Sequence, residues 1–119
     1  MGWLDPLSTI ELVVGSVLAD RDGLVVESVV QGPDFDPQAF AVGITAITRE
    51  VGVLSGDLHD RLRRHMIVMD RREVVIICFG SYLLGTVLRR ESGRRDVRKE
   101  LLRVASQISG ELIEVGDGR

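Results

Sequence analysis

Asp20 and Asp22, followed by Gly23, have the spacing that opens a calcium loop, where alternate carboxylates converge on a hard cation. The later ligands of such a loop, above all a bidentate Glu, do not follow, and D-R-D-G between two apolar runs has the composition of a hairpin turn. His59, His65 and Cys78 are metal-ligating types. The histidines, however, lie six positions apart on or beside a strand, and Cys78 sits inside an apolar run, which fits no recognised zinc spacing. Ser81 and Ser92 have no His and acid arrangement to activate them as nucleophiles. Neither G-x-x-x-x-G-K-[ST] nor a dinucleotide fingerprint is present, so the chain is not expected to hold a nucleotide through those devices. These residues point to no enzyme, no metal and no cofactor. Arg89, Arg90, Arg94, Arg95 and Arg98 gather where the last helix is expected to begin. They form either a solvated surface or a docking site for an acidic partner, and basic charge at a helix N-terminus is unfavourable against the dipole.

The composition narrows the function classes. The chain has 119 residues, 45% hydrophobic and 28% charged, with a net charge of −3. That suits a single soluble domain spanning 1–119 and argues against nucleic acid as the main partner. Fourteen of the fifteen basic residues are Arg, a bias that genome composition explains as well as function does. One cysteine permits no intramolecular disulfide and is compatible with a reducing cytosol. The first residues, MGWLDPLSTIE, lack the basic and apolar regions of a signal peptide. Uninterrupted apolar runs reach about six residues, far short of a membrane span. The expectation is a cytoplasmic protein without membrane insertion.

The elements that must position any surface are clear in outline. Asp5 and Pro6 start a short turn, and strands are expected over Glu11 to Ala19 (apolar on both faces and central) and Leu24 to Val30 (nearer an edge). The D-R-D-G turn joins them. A charged edge strand runs from Asp60 to Met69, with Arg61, Arg63, Arg64 and His65 in its first half. Val74 to Phe79 is an interior strand and Tyr82 to Arg90 another. The last helix begins near Ser92 to Asp96, with Val97, Leu101, Val104, Ala105, Ile108 and Leu112 on one face and a tail that frays after Glu114.

The helix from Asp36 to Leu54 is different. Asp36 is a natural N-cap and Pro37 suits the first helical position. Phe40, Ile44, Ile47, Val51 and Leu54 form a large-residue stripe, beside a second stripe of Ala39, Val42, Gly43, Ala46 and Val53. Only Gln38, Thr45, Thr48 and Arg49 remain as a polar strip. An amphipathic helix buries an arc of about 100° against one core, and this one needs roughly twice that. Either the helix is sunk deep in its own core, or its large stripe packs on the sheet and its small stripe meets another helix. No other helix in the chain has a matching small face, so a second copy is the best candidate. The resulting fold class is α/β (α+β layered): a five-stranded antiparallel sheet with one helix on one face and the C-terminal helix on the other, and a short or absent N-terminal helix.

The stretch VLADRDGLVVES, the Ala-containing helix, VVIICFGSYLLGTVLRRE and RRDVRKELLRVASQI, in this order, resemble the roadblock / dynein light-chain superfamily, in particular its bacterial MglB-like branch. The likeness runs from about Ile10 to Ile108 and rests on the order of elements and the DRDG hairpin. It implies a non-enzymatic scaffold or regulator, commonly of Ras-like small GTPases, some bacterial members of the family stimulating GTP hydrolysis. It also implies pairing through the helix Asp36 to Leu54 and the strand Asp60 to Met69. The expected homodimer interface comprises Ala39, Val42, Gly43, Ala46, Met66 and Val68, and the expected partner-binding strip Gln38, Thr45, Thr48 and Arg49. The chain departs from the family in having about ten residues before its first strand, where a full helix is usual. Trp3 is then the largest apolar group able to cover bare sheet. An uncovered face would suit the alternative, a small-molecule-sensing or scaffolding module.

Overall fold

The computed structural model describes residues 2–90 and 97–117. In chain order they form a 3₁₀ turn (Asp5–Thr9), β1 (Val13–Asp20), β2 (Val25–Val30), α1 (Pro37–Asp57), β3 (Arg64–Val68), β4 (Arg72–Phe79), β5 (Tyr82–Arg89) and α2 (Arg98–Asp117). One antiparallel sheet contains all five strands in the order β2-β1-β5-β4-β3. The first strand therefore pairs with the last, from Val13 opposite Leu88 to Asp20 opposite Tyr82. β2 and β3 are the two edges, as their polar and charged residues lead one to expect.

Local chemistry explains the boundaries. Asp20 Oδ1 accepts from the backbone N–H groups of Asp22 and Leu24 at 2.9 and 3.0 Å, and Gly23 takes φ 88°, so the D-R-D-G segment is a hairpin turn. Asp36 caps α1, its Oδ1 accepting from Gln38 and Ala39 N–H at 3.1 and 3.3 Å. His59 ends α1 in the left-handed region at φ 55°, donating its N–H to Gly56 O.

β3 starts at Arg64 and not near Asp60. Its register sets Arg64 opposite Ile77, which leaves β4 only Cys78 and Phe79 before the turn at Gly80. α2 continues to Asp117, beyond the expected fraying point at Glu114. The expected start of that helix, with Ser92, Arg94 and Arg95, lies outside the described residues.

A helix covers each face. On one, Val17, Ala19, Val74 and Ile76 meet Ala41 and Ile44 of α1, with Phe35 and Phe40 alongside. α1 sits close because Gly85 has no side chain: a Cβ there would lie 2.5 Å from Ile44 Cδ1. On the other face Leu18, Val75, Ile77, Leu84 and Leu88 pack against Leu101, Val104, Ala105 and Ile108 of α2.

The short N-terminal segment completes that second face. Leu4 and Leu7 are fully buried, and Trp3 packs half-buried against the same core, its indole N–H donating to the Glu111 carboxylate. Two side chains of β2 and its exit hold the segment down. Glu27 accepts from Trp3 and Leu4 N–H at 3.1 and 2.7 Å. The Gln31 amide donates to the carbonyls of Leu7, Ile10 and Val13 at 3.0 to 3.3 Å. The sheet face expected to lie bare beneath the short N-terminus, and to suit a small-molecule sensor, is thus covered.

Candidate interaction surface

α1 is turned differently on the sheet from the way its stripes suggest. The residues it buries are Ala41, Ile44, Thr45 and Thr48, an i, i+3, i+4, i+7 row. Relative to the stripe Phe40-Ile44-Ile47-Val51-Leu54 this row is rotated by roughly a quarter of a turn, at 3.6 residues per turn. Thr45 and Thr48 accordingly do not belong to an exposed partner-binding strip: they are only 5% and 4% accessible. Their hydroxyls are both hydrogen-bonded, which offsets the cost of burying them. Thr45 Oγ1 donates to Ala41 O at 2.6 Å, within the helix. Thr48 Oγ1 shares a 3.1 Å hydrogen bond with His65 Nε2, tying α1 to β3. With that bond made, the Thr side chain offers the sheet little but its methyl group.

The same rotation sends Ile47 and Leu54 outward, where the sequence places them on the sheet. The outward arc of α1 has Ala39, Gly43 and Ala46 along its middle, all exposed. Val42 and Val53, 63% and 62% accessible, flank them on one side, with Ile47 and Leu54 on the other. A Cβ placed on Gly43 meets nothing within 4 Å, so another backbone can approach closely there. Gln38 and Arg49 are exposed at the border of this arc, next to Val42 and Val53.

Met66 and Val68 are exposed on edge strand β3, but they share a face with Glu73 and Val75, the side that α2 covers. His65 and Ile67, between them, face α1. The expected interface residues therefore divide into an α1 group and an edge-strand group on opposite faces of the sheet margin. Only a partner that continues the sheet past β3 reaches both.

By length and hydropathy alone α1 is sufficient to cross a membrane, with 22% of its apolar stretch buried within this chain. The buried row argues for a different use. Withdrawing α1 into lipid strips Val17, Ala19, Val74 and Ile76 of their cover.

Electrostatics at the surface is modest. Burial pushes the His65 imidazole below its ordinary range and the Cys78 thiol above its own, Arg21 partly opposing the latter. Arg21 also donates to Gly80 O at 3.0 Å, joining the β1–β2 and β4–β5 turns. Among the described residues, His59, His65 and Cys78 do not converge with each other or with carboxylates into a metal-binding group. The His65–Thr48 bond and the Glu27 and Gln31 clasps escaped sequence reading, because each joins residues of no local pattern.

No protein-family model matches the sequence, and no curated protein matches it. Solved structures do match the fold. MglB of Myxococcus xanthus superposes with a TM-score of 0.77 at 13% identity, over 86% of this chain and 85% of that one. An MglB described with a tetrameric arrangement gives 0.76 at 17% identity, over 87% and 81%. A Roadblock/LC7 domain from Streptomyces avermitilis gives 0.72 at 20% identity, over 95% and 98%. The chain has the roadblock fold in its MglB-like form.

Proposed function

We propose that this protein is a cytoplasmic, non-enzymatic homodimeric adaptor that docks a Ras-like small GTPase on a platform of paired α1 helices. The observation that carries the reading is the outward arc of α1. Four large apolar side chains stand exposed around a spine of small residues, on a helix whose other side already packs on its sheet. Arcs of this kind mark interaction surfaces, and a small spine favours close approach of a second helix. Two-fold pairing is the simplest closed solution, and adding β3 to β3 brings Met66 and Val68 into the same interface. The tetrameric arrangement described for one MglB is compatible with such self-association. Light scattering at micromolar concentration tests the dimer, and a monomer overturns it.

The GTPase assignment rests on the resemblance to the roadblock superfamily. With Thr45 and Thr48 buried, the platform strip consists of Gln38 and Arg49 from each copy. The partner holds the nucleotide, and any effect on hydrolysis comes from favouring one arrangement of its switch segments, which requires differential affinity for its states. Arg49→Ala then weakens binding and stimulation together, and modestly. If Arg49 were an inserted finger, its removal would cost about 10³-fold or more in rate while sparing binding. Single-turnover GTP hydrolysis with GTPases from the source cell, alongside titrated affinity, separates the two. If none binds in any nucleotide state, the GTPase reading falls.

A further inference from the structure

Away from α1, the α2 face has an opening of its own. α2 leaves the margin of the sheet uncovered where β3 begins and β4 ends, and a groove of about 460 Å³ lies between them. Its floor and wall are Ile77, Phe79 and Leu102, with Arg63, Arg64 and Ser106 around the mouth. Arg64 pairs with Ile77 and so shares its face, and Arg63 is fixed by its carbonyl, which accepts from Cys78 N–H at 2.7 Å. No Asp or Glu lines the groove, and among the described residues no carboxylate pairs with either arginine. One end is therefore cationic and hydrogen-bonding, and the rest is apolar.

We propose that this groove binds a medium-chain fatty acid, with the carboxylate held by Arg63 and Arg64 and the chain laid along Ile77, Phe79 and Leu102. The guanidinium fork matches a carboxylate in shape and charge. The volume is that of a small-molecule site, whereas a helix about 10 Å across would not fit it. An extended peptide needs backbone partners for its own amides. β4 is hydrogen-bonded to β5 as far as Phe79 and to β3 as far as Ile77, and Arg63 O takes the Cys78 N–H, so the floor has little backbone to offer. An acyl chain has no amides to satisfy. The groove is formed within a single chain, so this inference does not depend on the dimer.

Decanoate, titrated below its micelle concentration and followed by amide NMR shifts, is the test. Saturable shifts at Phe79, Leu102 and Ser106 are expected. Affinity should rise by about fourfold per methylene along the series from hexanoate and level off once the groove is full. Decanol, which lacks the charge, should bind about tenfold or more weakly, as should decanoate to the Arg63→Glu/Arg64→Glu double variant. Ser106→Trp, at an exposed position, should fill the groove and abolish binding, with circular dichroism confirming the fold of each variant. Shifts confined to the outward arc of α1, equal binding of decanol, or indifference to the double variant would overturn the proposal. Light scattering on the same samples separates the two readings: a monomer that binds decanoate removes only the dimer, and a dimer that does not bind removes only the groove.

Discussion

α1 and α2 lie on opposite faces of one sheet and differ in what they leave outside. α2 buries Leu101, Val104, Ala105 and Ile108 and exposes Lys99, Arg103 and Gln107, with Arg103 paired to Glu100 at 2.6 Å. Among its described side chains the one exposed large apolar residue, Leu102, borders the groove. α1 buries a row of similar width and still exposes Val42, Ile47, Val53 and Leu54. The first helix leaves an apolar arc that its own chain does not cover, whereas the second turns a mainly polar face outward among its described side chains. A helix that is apolar around most of its circumference thus need not be central in its own domain.

The contrast is broken most directly by Gly43→Arg, which buries a charge in the expected helix pair and should weaken association by about a thousandfold or more. The isolated chain has open space at this Cβ, so the variant should remain folded as a monomer in sedimentation and circular dichroism. The matching change on α2, Gln107→Arg, should alter neither property. A Gly43→Arg protein that stays dimeric would show that the α1 arc is not the interface.

Next in size is core loss. Leu101→Ala should cost about 3 kcal/mol in urea unfolding. Leu54→Ala, compared in the monomeric Gly43→Arg background, should change stability by no more than about 0.5 kcal/mol. Equal effects would mean that the arc is packed within the chain after all. Gly85→Ala sharpens the other side of α1: forcing a methyl against Ile44 should cost about 1–3 kcal/mol in the same background.

The smallest effect concerns His65. Because burial pushes its pKa below the ordinary 6.5, the unfolded chain binds the proton first as pH falls. Stability is therefore full above about pH 6.5 and declines below it. His65→Gln should flatten that decline in unfolding curves taken from pH 7.5 down to about 5, near the bounds of the histidine range. A steeper slope in the variant would mean that the ring gains a proton on folding.

Much of this architecture was legible in residue order. The D-R-D-G turn and the Asp36-Pro37 cap each carry a local physical signal and lie where it puts them, whereas the Arg-rich edge strand is an edge as expected but begins only at Arg64, leaving Arg61 and Arg63 ahead of it. The rotation of α1 was not legible, because Thr reads as polar until its hydroxyl is seen to bond Ala41 O or His65. The α1 spine of Ala39, Gly43 and Ala46 was readable as an unfilled surface, since small residues at helical spacing have no use against a sheet already lined by Ile44. Gln38 and Arg49 lie exposed at its border. The groove had no sequence signature at all. It exists where α2 stops short of the β3 margin, a property of packing between elements far apart in the chain.

The pairing of β1 with β5 has a consequence for the order in which the chain can fold. The β1–β2 hairpin has only local contacts to wait for, but the inner edge of β1 has no partner until β5 arrives. Non-local closure of this kind is slow relative to helix and hairpin formation. During synthesis, α1 emerges before the strands that complete its floor, Val74, Ile76 and Gly85, and both its apolar sides are then open to water. If the proposed pair forms, two nascent chains on one message could meet through those sides, before either sheet has closed.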